Sequence, residues 1–388
     1  MSQRGIYSDL INTLAERGHS ITLCCADSRY PKTEFTEGKI PKLKIKVPNQ
    51  FGVNFIKKGL VLLRLEGMIR RAVVKYLKKE QFDLVLYATP PITLAGVIAY
   101  CKKTFHCRSY LMLKDIFPQN AVDLGILSEH GLRGILYRFF KAKEKKLYRY
   151  SDRIGCMSPA NISYLTRHEP YLDRDKIELF PNAVRADECN IERDPSRKIF
   201  EKYGIDKEKL VFVYGGNFGK PQGLDFLAQA IAQCRDIQEV HFVMVGKGGE
   251  KEKFFRALRG LGNVTALDAL PKDEYEQLCA QCDVGMVVLD KRFTIPNYPS
   301  RILSYLGNAM PVFACTDKSC DVKDLLEQAQ CGKWCYSGSL EDFKACVRWF
   351  VENRAALRTM GENGKKYLAQ HFDVKKNIEK LETFIQGK

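Results

Sequence analysis

The chain has 388 residues, of which 45% are hydrophobic and 28% charged, a composition typical of a soluble globular protein with two or three domains. Its longest apolar run, residues 92–100, is far shorter than the roughly 20 residues of a membrane-spanning helix, and its start, MSQRGIYSDL, lacks the apolar core of a secretory signal. We therefore expect a cytoplasmic protein. The 14 scattered cysteines indicate reduced thiols rather than a disulfide framework.

The net charge of +16 is concentrated in the first half of the chain. Residues 1–190 hold 32 Lys and Arg against 19 Asp and Glu, whereas residues 191–388 hold 30 against 27. This asymmetry favours an anionic partner for the first half, such as a membrane surface, a nucleic acid or a phosphorylated substrate. A solvated, lysine-rich surface explains the charge equally well.

Short apolar segments alternate with longer amphipathic stretches, which is the pattern of a doubly wound α/β protein. We predict strands at residues 20–25, 84–88, 108–113 and 153–157 in the first half, and at 210–214, 240–245, 263–267, 284–289 and 311–315 in the second. A further strand within residues 176–184 leads to a polar segment, so we place the boundary between two domains at about Arg185.

In this sequence only four residues precede the first predicted helix, residues 5–14. In a doubly wound sheet the strand before that helix is normally central, and its loop faces the ligand crevice. The sequence therefore predicts an N-terminal sheet without its first strand, or a protein whose start lies upstream.

One carboxylate of the first half is well placed for a crevice. Asp115 follows the predicted strand 108–113 and precedes a proline turn, with Lys114 and Gln119 on either side. In α/β sheets, ligands bind at the carboxyl ends of strands. A cap or an ion-pair partner is the alternative role for such an acid.

The second half contains two glycine-rich turns, each directly after a predicted strand. The first, YGGNFGKPQGL, includes Lys220 and leads into a helix, so backbone N–H groups, the helix dipole and a cation are all available to a phosphate. The second, VGKGGE, has Lys251 where a dinucleotide-binding fingerprint requires its third glycine, which disfavours NAD. A tight strand-to-helix turn without a ligand is the alternative for both.

A third segment, IPNYPSRILSYLGNAM, begins a helix with a basic residue. Ser300 is the predicted N-cap, and Arg301 lies in the first turn, where its charge opposes the helix dipole. This placement favours a bound anion nearby, although a solvent-facing arginine is the alternative.

Two segments of the first half, residues 55–79 and 136–150, combine apolar faces with many lysines and arginines. Such helices lie on anionic bilayers or cover a sheet with a basic outer surface. Cys279 and Cys282 form a CxxC pair, but no second pair completes a zinc site, so we predict no metal.

The ordered series of motifs resembles the retaining glycosyltransferases of family 4, especially bacterial enzymes that build capsule, O-antigen or exopolysaccharide units on lipid carriers. The resemblance covers nearly the whole chain and rests on LKDIFPQNAVDLG, LFPNAV, GGNFGKPQGLDFL, VGKGGE and NYPSRILSYLGNAMPVFA. It implies the α/β fold called GT-B, in which two doubly wound Rossmann-like domains, here residues 1–185 and 186–370, face a cleft. A final helix, residues 371–388, would cross back to the first domain.

The resemblance also implies a reaction: transfer of a sugar from a nucleotide diphosphate sugar, expected to be a UDP-sugar, with retention and without a metal or cofactor. The acceptor would be lipid-linked or an oligosaccharide, and the enzyme would be peripheral to the inner face of the cell membrane and would bind no nucleic acid. Asp115 matches the catalytic acid of the first domain. The implied donor-binding residues are Gly216, Asn217, Lys220, Gly246, Gly248, Tyr298, Ser300 and Arg301, and the acceptor side would include Gly5, Lys114 and Gln119.

Three positions depart from the pattern of the family. Pro296 and Ser304 stand where relatives often carry a pair of glutamates, and Gln222 stands where many have a lysine. Two alternative functions stay open on the sequence: a sugar-nucleotide epimerase of the same fold, and a non-enzymatic nucleic-acid-binding protein. The net charge permits the latter, but the chain carries no recognisable nucleic-acid module.

Overall fold

The structure is a computed structural model that describes residues 5–49, 55–189 and 193–387, apart from the side chains of residues 55–63. It contains two compact units. The first comprises Met1–Pro181 together with Val374–Lys388, and the second comprises Asn182–Asp373. The limits that the sequence predicts, after residues 185 and 370, differ from these by a few residues.

Strands and helices alternate in the first unit, with a β-hairpin near its start. The strands are β1 (Leu23–Asp27), β2 (Glu34–Thr36), β3 (Lys42–Lys46), β4 (Leu84–Ala88), β5 (Arg108–Leu113), β6 (Arg153–Cys156) and β7 (Ile177–Leu179). The helices are α1 (Ile6–Glu16), α2 (Phe55–Leu77), α3 (Ala95–Phe105), α4 (Gln119–Asp123), α5 (Gly131–Tyr150), α6 (Pro159–His168) and, from the end of the chain, α15 (Val374–Gln386).

The strands of the first unit form two separate sheets. Their orders are β1-β3-β2 and β4-β5-β6-β7, and all neighbours are parallel except β2 with β3. Within the described ranges no strand joins β1 to β4, and this is the place where a doubly wound sheet has its first strand. β1 is correspondingly open, because Cys24 and Ala26 are exposed, whereas β5 is buried from Ser109 onward.

The second unit has one continuous sheet. Its strands are β8 (Leu210–Asn217), β9 (Val240–Lys247), β10 (Val264–Asp268), β11 (Val284–Val288), β12 (Val312–Thr316) and β13 (Gly332–Tyr336). Its helices are α7 (Lys198–Tyr203), α8 (Leu224–Gln233), α9 (Lys251–Leu258), α10 (Lys272–Gln281), α11 (Arg301–Gly307), α12 (Val322–Ala329), α13 (Leu340–Glu352) and α14 (Leu357–His371). The strands are all parallel in the order β10-β9-β8-β11-β12-β13, so the strand order reverses between β8 and β11.

Aromatic side chains fill the core of the second unit. Phe212 of β8 stacks on Phe242 of β9 with ring centroids 5.2 Å apart, and Phe313 of β12 lies 4.9 Å from Phe343 of α13. All four side chains are fully buried. Because helices cover both faces of a parallel sheet, its central strands are largely apolar, and this made β8, β9, β11 and β12 easy to predict from the sequence.

α15 packs on the first unit at the end of the chain. Glu382 forms an ion pair with Arg17, the residue after α1. Oε2 of Glu382 and Nη2 of Arg17 are 3.0 Å apart. The guanidinium of Arg108 lies 5.3 Å from the ring centroid of Phe384. The first unit is therefore built from both ends of the chain. None of the helices in the described residues combines the length and apolarity that crossing a bilayer demands.

Candidate functional site

The two glycine-rich turns lie side by side at the carboxyl edge of the sheet in the second unit. β8 and β9 pair along their whole length, with Gly216 opposite Gly246. A Cβ on Gly246 would lie 1.9 Å from the carbonyl oxygen of Gly216, and one on Gly248 would lie 2.2 Å from that of Phe218. Only glycines allow this close approach of the two backbones. The edge adjoins the reversal of strand order beside β11, where α/β sheets bind their ligands.

Arg301 brings a positive charge to this edge. Its guanidinium lies 4.2 Å from the ring centroid of Tyr214, and its Nη2 would be 3.3 Å from a Cβ placed on Gly216. Nη1 is buried without a hydrogen-bond partner, and no carboxylate of the described residues forms an ion pair with this arginine. A buried charge without a counter-ion costs several kcal/mol, so the arrangement favours an anion beside Gly216.

Two further tyrosines that the sequence analysis did not single out complete the surroundings of Arg301. The hydroxyl of Tyr305 donates to the carbonyl of Val213 at 3.3 Å, and a Cβ on Gly215 would lie 2.0 Å from the hydroxyl oxygen of Tyr275. Burial raises the pKa of both tyrosines, so both are neutral at pH 7. The aromatic rings therefore shield the guanidinium from water without neutralising it.

Three of the implied donor-binding residues are open to solvent. Asn217 ends β8 and is exposed, Lys220 is exposed in the turn that follows, and Ser300 is exposed before α11, where its side chain caps no helical N–H group. Gln222, the position where many relatives have a lysine, accepts a hydrogen bond from the Gly219 amide at 3.2 Å. Lys220 and Arg301 are therefore two of the cations beside this turn; Lys247, opposite Asn217 on β9, is a third.

Tyr298 has a different environment from the one that the resemblance implies. The ring is buried and packs against Phe372, with centroids 6.1 Å apart. Burial raises the pKa of its hydroxyl, and Asp321 and Tyr367 are among its electrostatic neighbours. The structure thus gives the Tyr298 ring a packing role in the second unit.

In the first unit, Asp115 lies in the loop between β5 and α4. Nδ2 of Asn120 donates to both carboxylate oxygens, at 2.8 and 2.7 Å, and the hydroxyl of Thr89 donates to the Asp115 carbonyl at 3.1 Å. Burial raises the pKa of Asp115 to about 6, although the hydrogen bonds from Asn120 oppose this shift. Asn120 and Thr89 were not among the predicted site residues, although Asn120 follows within the same motif.

The three residues predicted for the acceptor side have separate environments. Lys114 lies next to Asp115 in the chain, with its ammonium 5.7 Å from the ring centroid of Phe180, and burial lowers its pKa to about 8. The Gln119 amide donates instead to Asp123 at 3.0 Å. Gly5 precedes α1, and its N–H donates to the Asp9 carboxylate at 3.2 Å. Of these three residues, only Lys114 thus carries a titratable side chain next to Asp115.

Metal-ligating side chains do not cluster in the described ranges: no group of three or more His, Cys, Asp or Glu residues is placed to hold an ion. The buried Cys279 and Cys282 lie at the end of α10.

Comparison with protein families assigns each half of the chain. Residues 7–188 match the family described as Glycosyltransferase Family 4, and residues 195–367 match the family described as Glycosyl transferases group 1. The two matches meet near the division between the structural units.

Two curated proteins are similar in sequence. The chain is 22% identical to the probable glycosyltransferase WbjE of Pseudomonas aeruginosa over 255 residues, which is 65% of this chain and 62% of that protein. It is also 22% identical to the putative colanic acid biosynthesis glycosyl transferase WcaI of Escherichia coli over 326 residues, which is 78% of this chain and 77% of that protein.

Solved structures share the fold. WaaG, a glycosyltransferase involved in lipopolysaccharide biosynthesis, superposes with a TM-score of 0.67 at 18% identity, over 99% of this chain and 95% of WaaG. Anabaena Alr3699/HepE in complex with UDP-glucose gives a TM-score of 0.67 at 16% identity, over 90% of this chain and 87% of HepE. Together, the family matches of both halves and this fold place the chain among the glycosyltransferases of the GT-B type.

Proposed function

We propose that this protein transfers a sugar, with retention of anomeric configuration and without a metal, from a UDP-sugar to a lipid-linked or saccharide acceptor in surface polysaccharide synthesis. The second unit would hold the donor. The first unit would bind the acceptor through the region around Asp115. The enzyme would work at the periphery of the inner face of the cell membrane.

The observation that carries the proposal is the buried guanidinium of Arg301. It lies beside the backbone of Gly216 and has no carboxylate partner among the described residues. A nucleotide diphosphate gains negative charge as it leaves the anomeric carbon, and preorganised N–H dipoles and cations stabilise that charge where it develops. Arg301 and the exposed Lys220, which lies in the same glycine-rich turn as Gly216, can therefore stabilise a leaving diphosphate without a metal ion.

On the first unit we assign the acid–base role to Asp115. With a pKa raised to about 6, its carboxylate is ionised at pH 7 and is a stronger base than an ordinary aspartate. The acceptor hydroxyl would attack from the face of the sugar that the diphosphate leaves, so that the configuration is retained. Asp115 would accept the proton of this hydroxyl, while the bond between the anomeric carbon and the diphosphate oxygen breaks and UDP leaves with the bonding electrons. Asn120 would orient the carboxylate through its two hydrogen bonds.

The comparisons support the choice of donor and pathway. The HepE structure contains UDP-glucose, and the names of WcaI and WaaG refer to colanic acid and lipopolysaccharide synthesis. These ligands and pathways belong to those proteins. They favour a UDP-sugar over other nucleotide sugars and a polysaccharide precursor as the acceptor of this chain.

Thermal unfolding of the full chain with UDP, GDP, CMP, NAD and a short oligonucleotide tests the donor site. A ligand at 100 times its dissociation constant stabilises the native state by about 2.7 kcal/mol. We expect a rise in melting temperature with UDP and with none of the other four. Stabilisation by the oligonucleotide alone, or by no nucleotide, would refute the proposal.

A further inference from the structure

Exposed apolar side chains are concentrated on one helix of the first unit. Leu132, Ile135 and Phe139 of α5 are 88%, 58% and 38% exposed, and Tyr150 at the end of the helix is 37% exposed. These four belong to the eight large apolar side chains that are exposed in the described part of the chain. An isolated exposed leucine is ordinary, but a row of large apolar side chains on one element marks an interaction surface.

The four side chains lie on one face of α5. At about 100° per residue, Leu132, Ile135, Phe139 and Tyr150 fall within an arc of about 60°. The buried residues of α5, which include Phe140, Leu147 and Tyr148, are centred roughly 140° away around the helix and pack in the first unit. α5 therefore has two apolar faces. One packs against the protein, and the other points away from it. We call the second face, formed by these four residues, the outer apolar row.

Cations border the outer apolar row. The exposed charged residues of α5 are Arg133, Arg138, Lys145, Lys146 and Arg149. Lys143 is partly buried and pairs with Glu66 of α2. The single acid of α5, Glu144, has a side chain only 1% exposed and pairs inward with Lys141. The guanidinium of Arg149 lies 5.1 Å from the ring of Tyr171, which is also exposed. The charge on the outer side of this helix is thus uniformly positive.

The other basic segment, α2, shows no comparable surface in its described side chains, residues 64–77. In α2, Leu65, Ala72, Val73 and Leu77 are buried, as in an ordinary helix that covers a sheet. Among its described side chains, Val74 is exposed without an exposed apolar neighbour one turn away. Of the two segments that the sequence analysis could not separate, α5 alone shows an outer apolar row in the described residues.

We propose that α5 lies in the surface of an anionic bilayer, with Leu132, Ile135 and Phe139 among the acyl chains and the cations among lipid phosphates. This inference rests on the proposed function, because it names the surface by which the enzyme reaches a lipid-linked acceptor. Exposed leucine and isoleucine gain free energy from acyl chains, and each cation near an anionic surface adds further binding free energy. A nucleic acid would use the cations and aromatic rings but would leave these aliphatic side chains in water.

Flotation with vesicles tests the proposal on the full chain. We expect binding to phosphatidylcholine vesicles that contain phosphatidylglycerol, and at least tenfold weaker binding to phosphatidylcholine alone. The variant Leu132→Ser/Ile135→Ser should bind the mixed vesicles at least tenfold more weakly than the parent. Val74→Ser on α2 is the matched control and should bind like the parent.

A second measurement detects insertion directly. Both tryptophans of the chain, Trp334 and Trp349, belong to the second unit, so a Leu132→Trp variant adds one reporter on α5. Its difference spectrum should shift to shorter wavelength with mixed vesicles and should be quenched by brominated acyl chains. An unshifted spectrum, or equal flotation of the double-serine variant and the parent, would overturn the proposal.

A nucleic-acid surface would give a different pattern. In that case, an oligonucleotide would bind the double-serine variant as tightly as the parent, and the parent would not float with mixed vesicles. The response to UDP, measured on the same samples, separates the two proposals: loss of vesicle binding with an intact UDP response overturns only the membrane surface, whereas vesicle binding without a UDP response overturns only the donor site.

Discussion

β1 in the first unit and β12 in the second have similar sequences but different surroundings. β1 reads LCCAD and β12 reads VFACT, both short and rich in apolar and cysteine residues. β12 is buried in every position because β11 and β13 flank it. Among the described residues β1 pairs only with β3, and it alternates between half-buried and exposed residues. The burial of a parallel strand therefore depends on its neighbours as much as on its own sequence.

The chemistry of the two units differs in the same way. In the second unit a buried cation, Arg301, has no acid partner among the described residues. In the first unit burial raises the pKa of Asp115 to about 6 and lowers that of Lys114 to about 8. One unit thus offers a fixed positive charge, and the other offers groups that exchange protons near neutral pH. This contrast matches a division between a donor unit and an acceptor unit.

The largest expected effect separates proton transfer from donor binding. We expect Asp115→Asn to lower the rate of sugar transfer by about 100-fold or more, as is typical when a general acid–base group is removed. The stabilisation by UDP should not change, because Asp115 belongs to the other unit. Parallel measurements of UDP release and of the melting temperature with UDP check both halves of this expectation, and a variant with wild-type turnover would contradict it.

In contrast to Asp115→Asn, Arg301→Met should impair the binding of UDP. We expect the stabilisation of about 2.7 kcal/mol by UDP at 100 times its dissociation constant to be lost. Because the variant removes an unpaired buried charge, the free energy of unfolding without ligand should rise by about 1 kcal/mol. Calorimetry with and without UDP measures both. Arg259→Met, at an exposed position, is the control, and destabilisation of the ligand-free Arg301 variant would indicate a purely structural arginine.

Glycines in the second turn provide a matched pair. A Cβ on Gly246 would meet the Gly216 backbone, whereas nothing lies within 4 Å of a Cβ on Gly249. We expect Gly246→Ala to lower the free energy of unfolding by about 2 kcal/mol and Gly249→Ala to change it by less than about 0.5 kcal/mol. Urea unfolding of the two variants tests this, and equal effects would show that the two strand ends do not meet as closely as described.

A smaller difference concerns the sheets themselves. Val213 of β8 is fully buried, whereas Val85 of β4, next to the interruption, is only half-buried. Truncation of Val213 to alanine should cost about 2 kcal/mol and truncation of Val85 about 1 kcal/mol. Urea denaturation of both variants measures the difference, and a larger cost at Val85 would mean that β4 has a covered edge in solution.

The smallest effect is on pH dependence. If the ionised Asp115 is the active form, the rate of sugar transfer falls as the pH drops through about 6. Asn120→Ala removes two hydrogen bonds that lower the pKa of Asp115, so the acid limb of the pH profile should move to higher pH. A limb at the same pH in the variant and the parent would contradict the assignment.

Much of this architecture could be predicted from the sequence, and the exceptions have physical causes. The α/β class, the GT-B fold and the strands at 84–88 and 108–113 are confirmed, because buried parallel strands are continuous apolar runs. β2, β3 and β13 were missed. β13, GKWCY, carries a lysine at a sheet edge, and β3, KLKIK, alternates lysines with apolar residues in the middle of a three-stranded sheet, so neither forms a continuous apolar run.

The site was predictable only in part. The glycine turns and Arg301 follow from local motifs, since strand-to-helix turns are encoded by neighbouring residues. The shielding of Arg301 by Tyr275 and Tyr305 depends on residues from α10 and α11 that meet only in the fold. Tyr298 shows the converse, because its motif suggested ligand contact whereas its ring packs on Phe372.

The division of the chain also has a consequence for the order of synthesis. The second unit is one continuous segment, Asn182–Asp373, whereas the first includes the final helix, which supplies Glu382 and Phe384 to contacts with Arg17 and Arg108. A ribosome delivers these residues only after the whole of the second unit, and domains generally fold as units while the chain emerges. The first unit therefore begins before the second but cannot be completed until the second has been synthesised, since its interrupted sheet lacks α15 until then.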